Sequence, residues 1–570
     1  MYMIRNSRGT DIKLRRTIAS ALLICLAACA PLAEHADLVV RNGTIYTVDP
    51  KQPWARALAV RGGKISFVGG EEGIAAHIGA STRIIDAGGR FIMPGFHDAH
   101  VHLSLTASKR RWCDLGYPSS LEMTRERLLD CVKAAAGKPW VLARNANTAV
   151  FPTTGPELSF WNGIAQEQPL YVDAVHSGYA NSAAMKAAGV IAATLEPAGG
   201  VIVRDKRGQP TGTFREAAKP LIEGRVPKPT DAEFTSDFEA VVVRLPSYGI
   251  VSVQELTSLR TPAFFEAMQK RGKLPVRVRF GNILDAQTVG PTKKSVAALA
   301  APSRIYNTAR LKAGVIKIFV DGDLGDQTAA LLAPYVRSAT SGEPLWQPEI
   351  LNKWVAALDE AGLQLHFHAM GDRAVRMALD AVEHAQARNR RRDARHQITH
   401  LHLVSSEDLP RFKQMGVIAN IQPSFATDIA FNTERVLELV GPQRHATMFR
   451  FRDLLAAGAE LAGSTDTPIV SPDALVTVET AVTRREPGLP GKPFIPDQGL
   501  SVADAVKLAT LGGARANRLD DVSGSISVGK QADFIMLDHN LFEVPARDIH
   551  KVRVLWTVID GRDAHVLGTN

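Results

Sequence analysis

Three histidine pairs share one spacing. His100 and His102 stand in "HDAHVH" (97–102), His366 and His368 in "LQLHFHAM" (363–370), and His400 and His402 in "QITHLHLV" (397–404). A neutral imidazole is a common metal ligand. Side chains two apart on a β-strand point to the same face. His97 has the opposite parity to His100 and His102, which assigns it to packing or to a supporting role. One such pair alone would suit a core as well as a metal site. Three pairs hold six of the chain's 16 histidines, and that clustering points to a metal. Parity does not choose the ligand within the second and third pairs.

Two other residues fit such a site. Lys317 lies in "VIKIFV" (315–320) between apolar neighbours. A buried ammonium is costly, so it must be paired or neutral. One reading is a salt bridge to a carboxylate such as Asp321, which shares its parity. The other is a neutral amine that takes up carbon dioxide, the resulting carbamate bridging two metal ions. Asp466, in "GSTDTP" (463–468), is either a turn or helix-cap aspartate or a ligand and general base. Imidazoles and a carboxylate around an open position suit zinc.

These residues need strands to hold them. Eight strand candidates follow one another: "IMPGFHDAHVHL", "GIVSVQEL" (249–256), "LPVRVRFGNI" (274–283), "GVIKIFVDG" (314–322), "LQLHFHAM", "QITHLHLV", "GVIANIQPS" (416–424) and "ELAGSTDTP" (460–468). From the second onward each gap holds a helix-like stretch. Repeated strand–helix units imply parallel strands, and eight of them a closed (β/α)8 barrel. The long gap after the first implies an inserted lobe, about 104–248. Short strands recur at both ends: "DLVVRNGTIYTV" (37–48) reads as a hairpin around Asn-Gly, and "ALAVRGGKISFVG" (57–69) as one around Gly-Gly. "GSISVGKQADFIMLD" (524–538) and "VRVLWTVIDGRDAHVLG" (552–568) are similar. The expected class is α/β: a TIM-like barrel (93–515) with a β-sandwich built from 29–92 and 516–570.

Residues 1–28 have the layout of an export signal: a basic stretch, then apolar 17–28. "LAAC" resembles a bacterial lipobox, making Cys29 the lipidated residue of a membrane-anchored or periplasmic protein. A plain secretory signal cut a few residues later is the alternative. Removing that segment lowers the net charge from +9 to +5, mild for 570 residues. "RNRRRDAR" (388–395) reads as a solvated helix end, so no nucleic-acid partner is expected. Cys113 and Cys131 are positioned to form one disulfide in an oxidising compartment.

The ordered set "PGFHDAHVHL", "VIKIFVDG", "HFHAMGDRAV", "ITHLHLV", "STDTP" and "GSISVGKQADFIMLD" resembles the amidohydrolase superfamily, family 3, in the branch of YtcJ and N-substituted formamide deformylase. The resemblance implies a small-molecule amide substrate and one or two Zn2+ ions. It implies His100, His102, Lys317 (as a carbamate), His368, His400 and Asp466 as ligands, with Asp466 also catalytic. His366 and His402 then become supporting residues. "HSGYANSAAM" resembles the branch's "H-S-x-x-x-N-S-x-A", so His176 is expected at the substrate, or else is a structural loop histidine. The chain departs at "ARNAN" (143–147), "DGD" (321–323) and "STD" (464–466), where relatives have Gly-x-Gly-Trp, Asp-Gly-Ser and Gly-Ser-Asp, so a relative's substrate does not transfer. Alternatives on the same site are hydrolysis of an ester, lactone or carbamate, or a non-catalytic binding lipoprotein. A homo-oligomer is compatible with all of these.

Overall fold

The computed structural model describes residues 35–568 except 119, 153, 175, 198, 258–260, 287–288, 337 and 429–433. The export segment and Cys29 therefore lie outside the described residues. An eight-stranded parallel sheet forms the centre: β1 (Phe96–Val101), β2 (Ile250–Thr257), β3 (Arg277–Leu284), β4 (Leu311–Phe319), β5 (Gln364–Ala369), β6 (Gln397–His400), β7 (Ile418–Ile421) and β8 (Glu460–Gly463). Their order in the sheet is their order in the chain. The ends meet through Asp466 N–H donating to His100 O (2.9 Å) and His102 N–H to Thr467 O (2.8 Å), with a parallel bridge between Val101 and Thr467. That is the expected α/β barrel.

Amphipathic helices cover the strands. Asp372–Asn389 buries Val375, Leu379 and Val382 on one side and leaves charge outside. Burying such faces is the main favourable term in folding, at roughly 25 cal/mol per Å² of apolar surface. The "RNRRRDAR" run straddles the end of this helix, with Arg392 paired to Asp359 and Arg395 to Asp520. It is a helix end, as its composition suggested. The final helical stretch, Val502–Ala516, closes the barrel floor. Gly512 and Gly513 permit this: a Cβ there would collide with the carbonyl oxygens of Leu461 in β8 and His97 in β1.

Two further sheets form from the chain ends. One is four-stranded and contains Leu38–Arg41, Ala57–Arg61, Lys64–Gly69 and Arg83–Asp86. The other is six-stranded and joins Thr44–Tyr46, Trp54–Ala55 and Phe91–Pro94 to Phe534–Leu537, Val554–Ile559 and Arg562–Val566. The expected Asn-Gly hairpin at 37–48 does not form. Leu38–Arg41 and Thr44–Tyr46 enter different sheets, and Asn42 (φ 53°) and Gly43 carry the chain across. Apolar residues of both segments face one shared core, Leu38, Val40 and Ile45 among them. Burial on both sides outweighs local turn preference there. The Gly-Gly hairpin at 62–63 does form, pairing Arg61 with Lys64.

Between β1 and β2 lies a separate six-stranded sheet spanning Cys113–Glu216. It has its own apolar clusters, around Leu128, Trp161 and Tyr179, and around Tyr171, Phe214 and Ile222. A disulfide joins Cys113 to Cys131 within it. The flanking helices, Leu103–Ser108 and Asp231–Val242, instead pack into the barrel core through Leu103, Phe238 and Val242.

Candidate metal centre

The three histidine pairs meet inside the barrel. His100 Nε2 lies 3.1 Å from His102 Nε2 and 3.3 Å from Asp466 Oδ1, and His102 Nε2 is 3.1 Å from the same oxygen. Lys317 Nζ is 3.4 Å from His100 Nε2. The His368 and His400 rings pack with centroids 4.4 Å apart, and His400 lies 5.4 Å from His100. His100, Lys317, His368 and His400 are buried, while the His102 side chain is 20% exposed. The centre therefore opens on the His102 side.

The outer nitrogens decide which atoms face inward. His102 Nδ1 lies 2.8 Å from Leu256 O, a carbonyl that can only accept, so the proton is on Nδ1. His400 Nδ1 lies 3.1 Å from Gln422 Oε1. His366 Nδ1 donates to Gln254 Oε1 (2.7 Å), so its Nε2 accepts from His100 Nδ1 at 3.0 Å. His100 and His102 thus both turn Nε2 lone pairs toward the Asp466 carboxylate. A proton satisfies one of these contacts; a divalent cation satisfies all three. His368 adds a second sign. Among the described residues neither ring nitrogen has a hydrogen-bond partner, although Nδ1 is 3.3 Å from Asp321 Oδ1. A buried imidazole without partners is uncommon unless something ligates it. The donor set fits a metal such as zinc.

Residues 83–564 match the amidohydrolase family. The chain belongs to that family. The amidohydrolase is similar to the protein LONG AFTER FAR-RED 3 of Arabidopsis thaliana, 30% identical over 94% of this chain and 92% of that one. It is also similar to the N-substituted formamide deformylase of Arthrobacter pascens, 26% identical over 93% and 98%. Among solved structures, an uncharacterized metal-dependent hydrolase from Pyrococcus horikoshii superposes with a TM-score of 0.68 at 26% identity, covering 89% of this chain and 99% of that one. The amidohydrolase is a metal-binding hydrolase acting on carbon–nitrogen bonds of a small-molecule substrate.

Its supporting residues went unread in the sequence. Gln254, Gln397, Asn420, Gln422, Thr399 and Ser464 form a buried amide and hydroxyl floor beneath the histidines. Asp98 ties β1 to the segment after β8: it accepts from the Thr465 hydroxyl (2.6 Å), Thr465 N–H (3.1 Å) and His100 N–H (3.2 Å). Burial pushes its carboxyl up to about 7 despite these bonds. Asp321 does not pair with Lys317. It accepts backbone N–H groups of Ala330, Met370 and Gly371 at 2.8–3.0 Å, so the salt bridge to Asp321 does not form. Burial instead pulls the Lys317 amine down to about 7. His97 behaves as parity required, bonding Ser252 (2.6 Å) and Ser523 (3.1 Å) away from the cluster. His402 packs on Phe449, centroids 4.5 Å apart.

His176 comes from the inserted lobe and reaches the rim, its ring 6.1 Å from His368. Its Nδ1 bonds Glu216 Oε1 at 3.0 Å, and Glu216 also accepts from the Thr328 hydroxyl at 3.0 Å. Burial disfavours the charged imidazole, but the Glu216 charge and hydrogen bond overcome it and raise His176 to about 10. His176 is therefore a cation at neutral pH.

Proposed function

We propose that the protein hydrolyses a non-peptide amide, N-acyl, N-formyl or cyclic, at a zinc site held by His100, His102, His368, His400, Asp466 and a carboxylated Lys317. The observation that carries this is the convergence of His100 Nε2, His102 Nε2 and Asp466 Oδ1 within 3.1–3.3 Å, with their outer partners fixed. Bound there, zinc supplies a water acidic enough to ionise near neutral pH and a Lewis acid for the substrate carbonyl. Asp466 accepts the proton of the attacking water and returns it to the leaving nitrogen. His176, held charged by Glu216, faces the rim and donates a hydrogen bond to a substrate oxygen. Lys317 is buried, makes no salt bridge among the described residues, and is depressed by burial to about 7 although the Asp466 charge opposes this. A neutral amine there could take up carbon dioxide with loss of one proton, and the resulting carbamate would offer two oxygen donors to metal held by the neighbouring histidines.

The test is metal content together with a screen of amides and esters. Wild-type protein is expected to carry one or two zinc ions per chain and to turn over an amide. Lys317→Ala should lose metal and at least ~10²-fold in kcat. Full metal and full rate in that variant would remove the carbamate from the account.

We further propose that residues 1–28 direct export and that Cys29 carries the lipid. The Cys113–Cys131 disulfide suits an oxidising compartment. Cys29→Ser should move the protein from the membrane fraction to the soluble one. An unchanged membrane fraction would contradict the anchor.

A further inference from the structure

A cavity of about 530 Å³ opens beside the exposed edge of His102. Leu105, Trp112, Val226, Phe234, Leu256 and Phe264 form its apolar wall. Trp112, Phe234 and Phe264 are only half-buried, and the Phe234 and Phe264 rings pack at 4.9 Å, leaving ring surface toward the cavity. Buried aromatic surface of this kind favours an apolar occupant.

Its charges balance. Lys109 and Lys228 line it, and so do Glu223 and Asp231. Lys109 Nζ is already held by Asp173 at 2.7 Å, and Glu223 accepts from the Tyr171 hydroxyl at 2.8 Å. Lys228 and Asp231 are exposed. The wall carries no net charge to hold an ionised substituent, and burying one unpaired is costly. His102 belongs both to this wall and to the metal cluster, so an occupant lies next to the reacting bond.

We propose that this cavity is the subsite for a bulky, uncharged, apolar group, an aryl or alkyl chain, attached to the scissile amide. It sets the substrate class within the hydrolase reading above and rests on that reading. Helices Leu103–Ser108, Asp231–Val242 and Thr261–Lys270 supply Leu105, Phe234 and Phe264, so the selectivity belongs to the loops and helices around the barrel mouth.

The experiment uses zinc-loaded enzyme. N-phenethylacetamide and N-methyl-3-phenylpropanamide carry the ring on opposite sides of the bond; N-methylacetamide lacks it, and N-acetylphenylalanine adds a carboxylate. At least one ring-bearing amide should exceed N-methylacetamide in kcat/KM by roughly 100-fold, since each added methylene in an apolar pocket is worth about 10-fold or more. The carboxylate should reduce kcat/KM by roughly tenfold. Phe264→Ala and Trp112→Ala should each shrink the ring preference by about tenfold. Equal rates with and without the ring, or a preference for the carboxylate, would overturn the subsite while leaving amide hydrolysis standing. Binding of N-phenethylmethanesulfonamide, which is not hydrolysed, separates the opposite case. Tight binding weakened by Phe264→Ala, with no amide turned over, would support the subsite and sink the hydrolase reading. No binding of that probe, together with no preference for either ring-bearing amide, would overturn the subsite.

Discussion

The tautomer of His100 rests on a chain of two hydrogen bonds. Gln254 accepts from His366, and His366 accepts from His100. Orienting partners of this kind tune ligand affinity without touching the metal. Gln254→Leu should therefore weaken zinc binding by roughly 10–100-fold, measured by competition with a chromophoric chelator. Unchanged affinity would remove Gln254 from the positioning role. The histidine pairs were legible because spacing on a strand fixes a shared face. Gln254, Gln422 and Asp98 were not, because their roles depend on barrel register between segments far apart in the chain. Parity likewise left His366 and His368 equivalent. The structure separates them by depth: His366 bonds to His100 from the floor, while His368 lies between His400 and His176.

The barrel strands were readable as elements because each is a short apolar run and, from the second onward, each is followed by a helix-like stretch. The first sandwich strands were not, since Asn42-Gly43 carries every local mark of a hairpin turn. Which sheet each strand joins is decided by a core assembled from both chain ends. The lobe, too, shows what sequence omits: His176 sits in a turn, and Glu216, the partner that charges it, lies 40 residues away at the end of the strand Pro210–Glu216. This pair gives a pH signature. His176 is raised from 6.5 to about 10, so its contribution is complete below 6.5 and is lost as pH rises through about 10. Glu216 is lowered from 4.5 to about 2, so its contribution is complete above 4.5 and is lost as pH falls toward 2. The stability advantage of wild type over Glu216→Gln should be greatest between pH 4.5 and 6.5 and shrink by pH 10, as followed by thermal melting at each pH. An advantage that grows between pH 7 and 10 would contradict the ion pair.

At the scale of the molecule, three bodies of sequence converge on one barrel mouth. The barrel brings together His100, Lys317, His368 and His400 from β1, β4, β5 and β6 and Asp466 from the segment after β8. The inserted sheet supplies His176. The sandwich sheets lock the floor, where Arg277 of β3 pairs with Asp533 and Asp560 and Ser523 bonds both His97 and Asp533. The fold class followed from the order of strands, because connection length alone distinguishes parallel from antiparallel neighbours. The substrate did not, since it depends on loops whose motifs depart from relatives. The direct test of metal-dependent hydrolysis is the rate on a responsive amide after chelator stripping and again after zinc is added back. Stripped enzyme should be inactive, and the rate should return in proportion to zinc bound up to one or two ions per chain. Full activity in verified metal-free protein would contradict the metal site as the seat of catalysis.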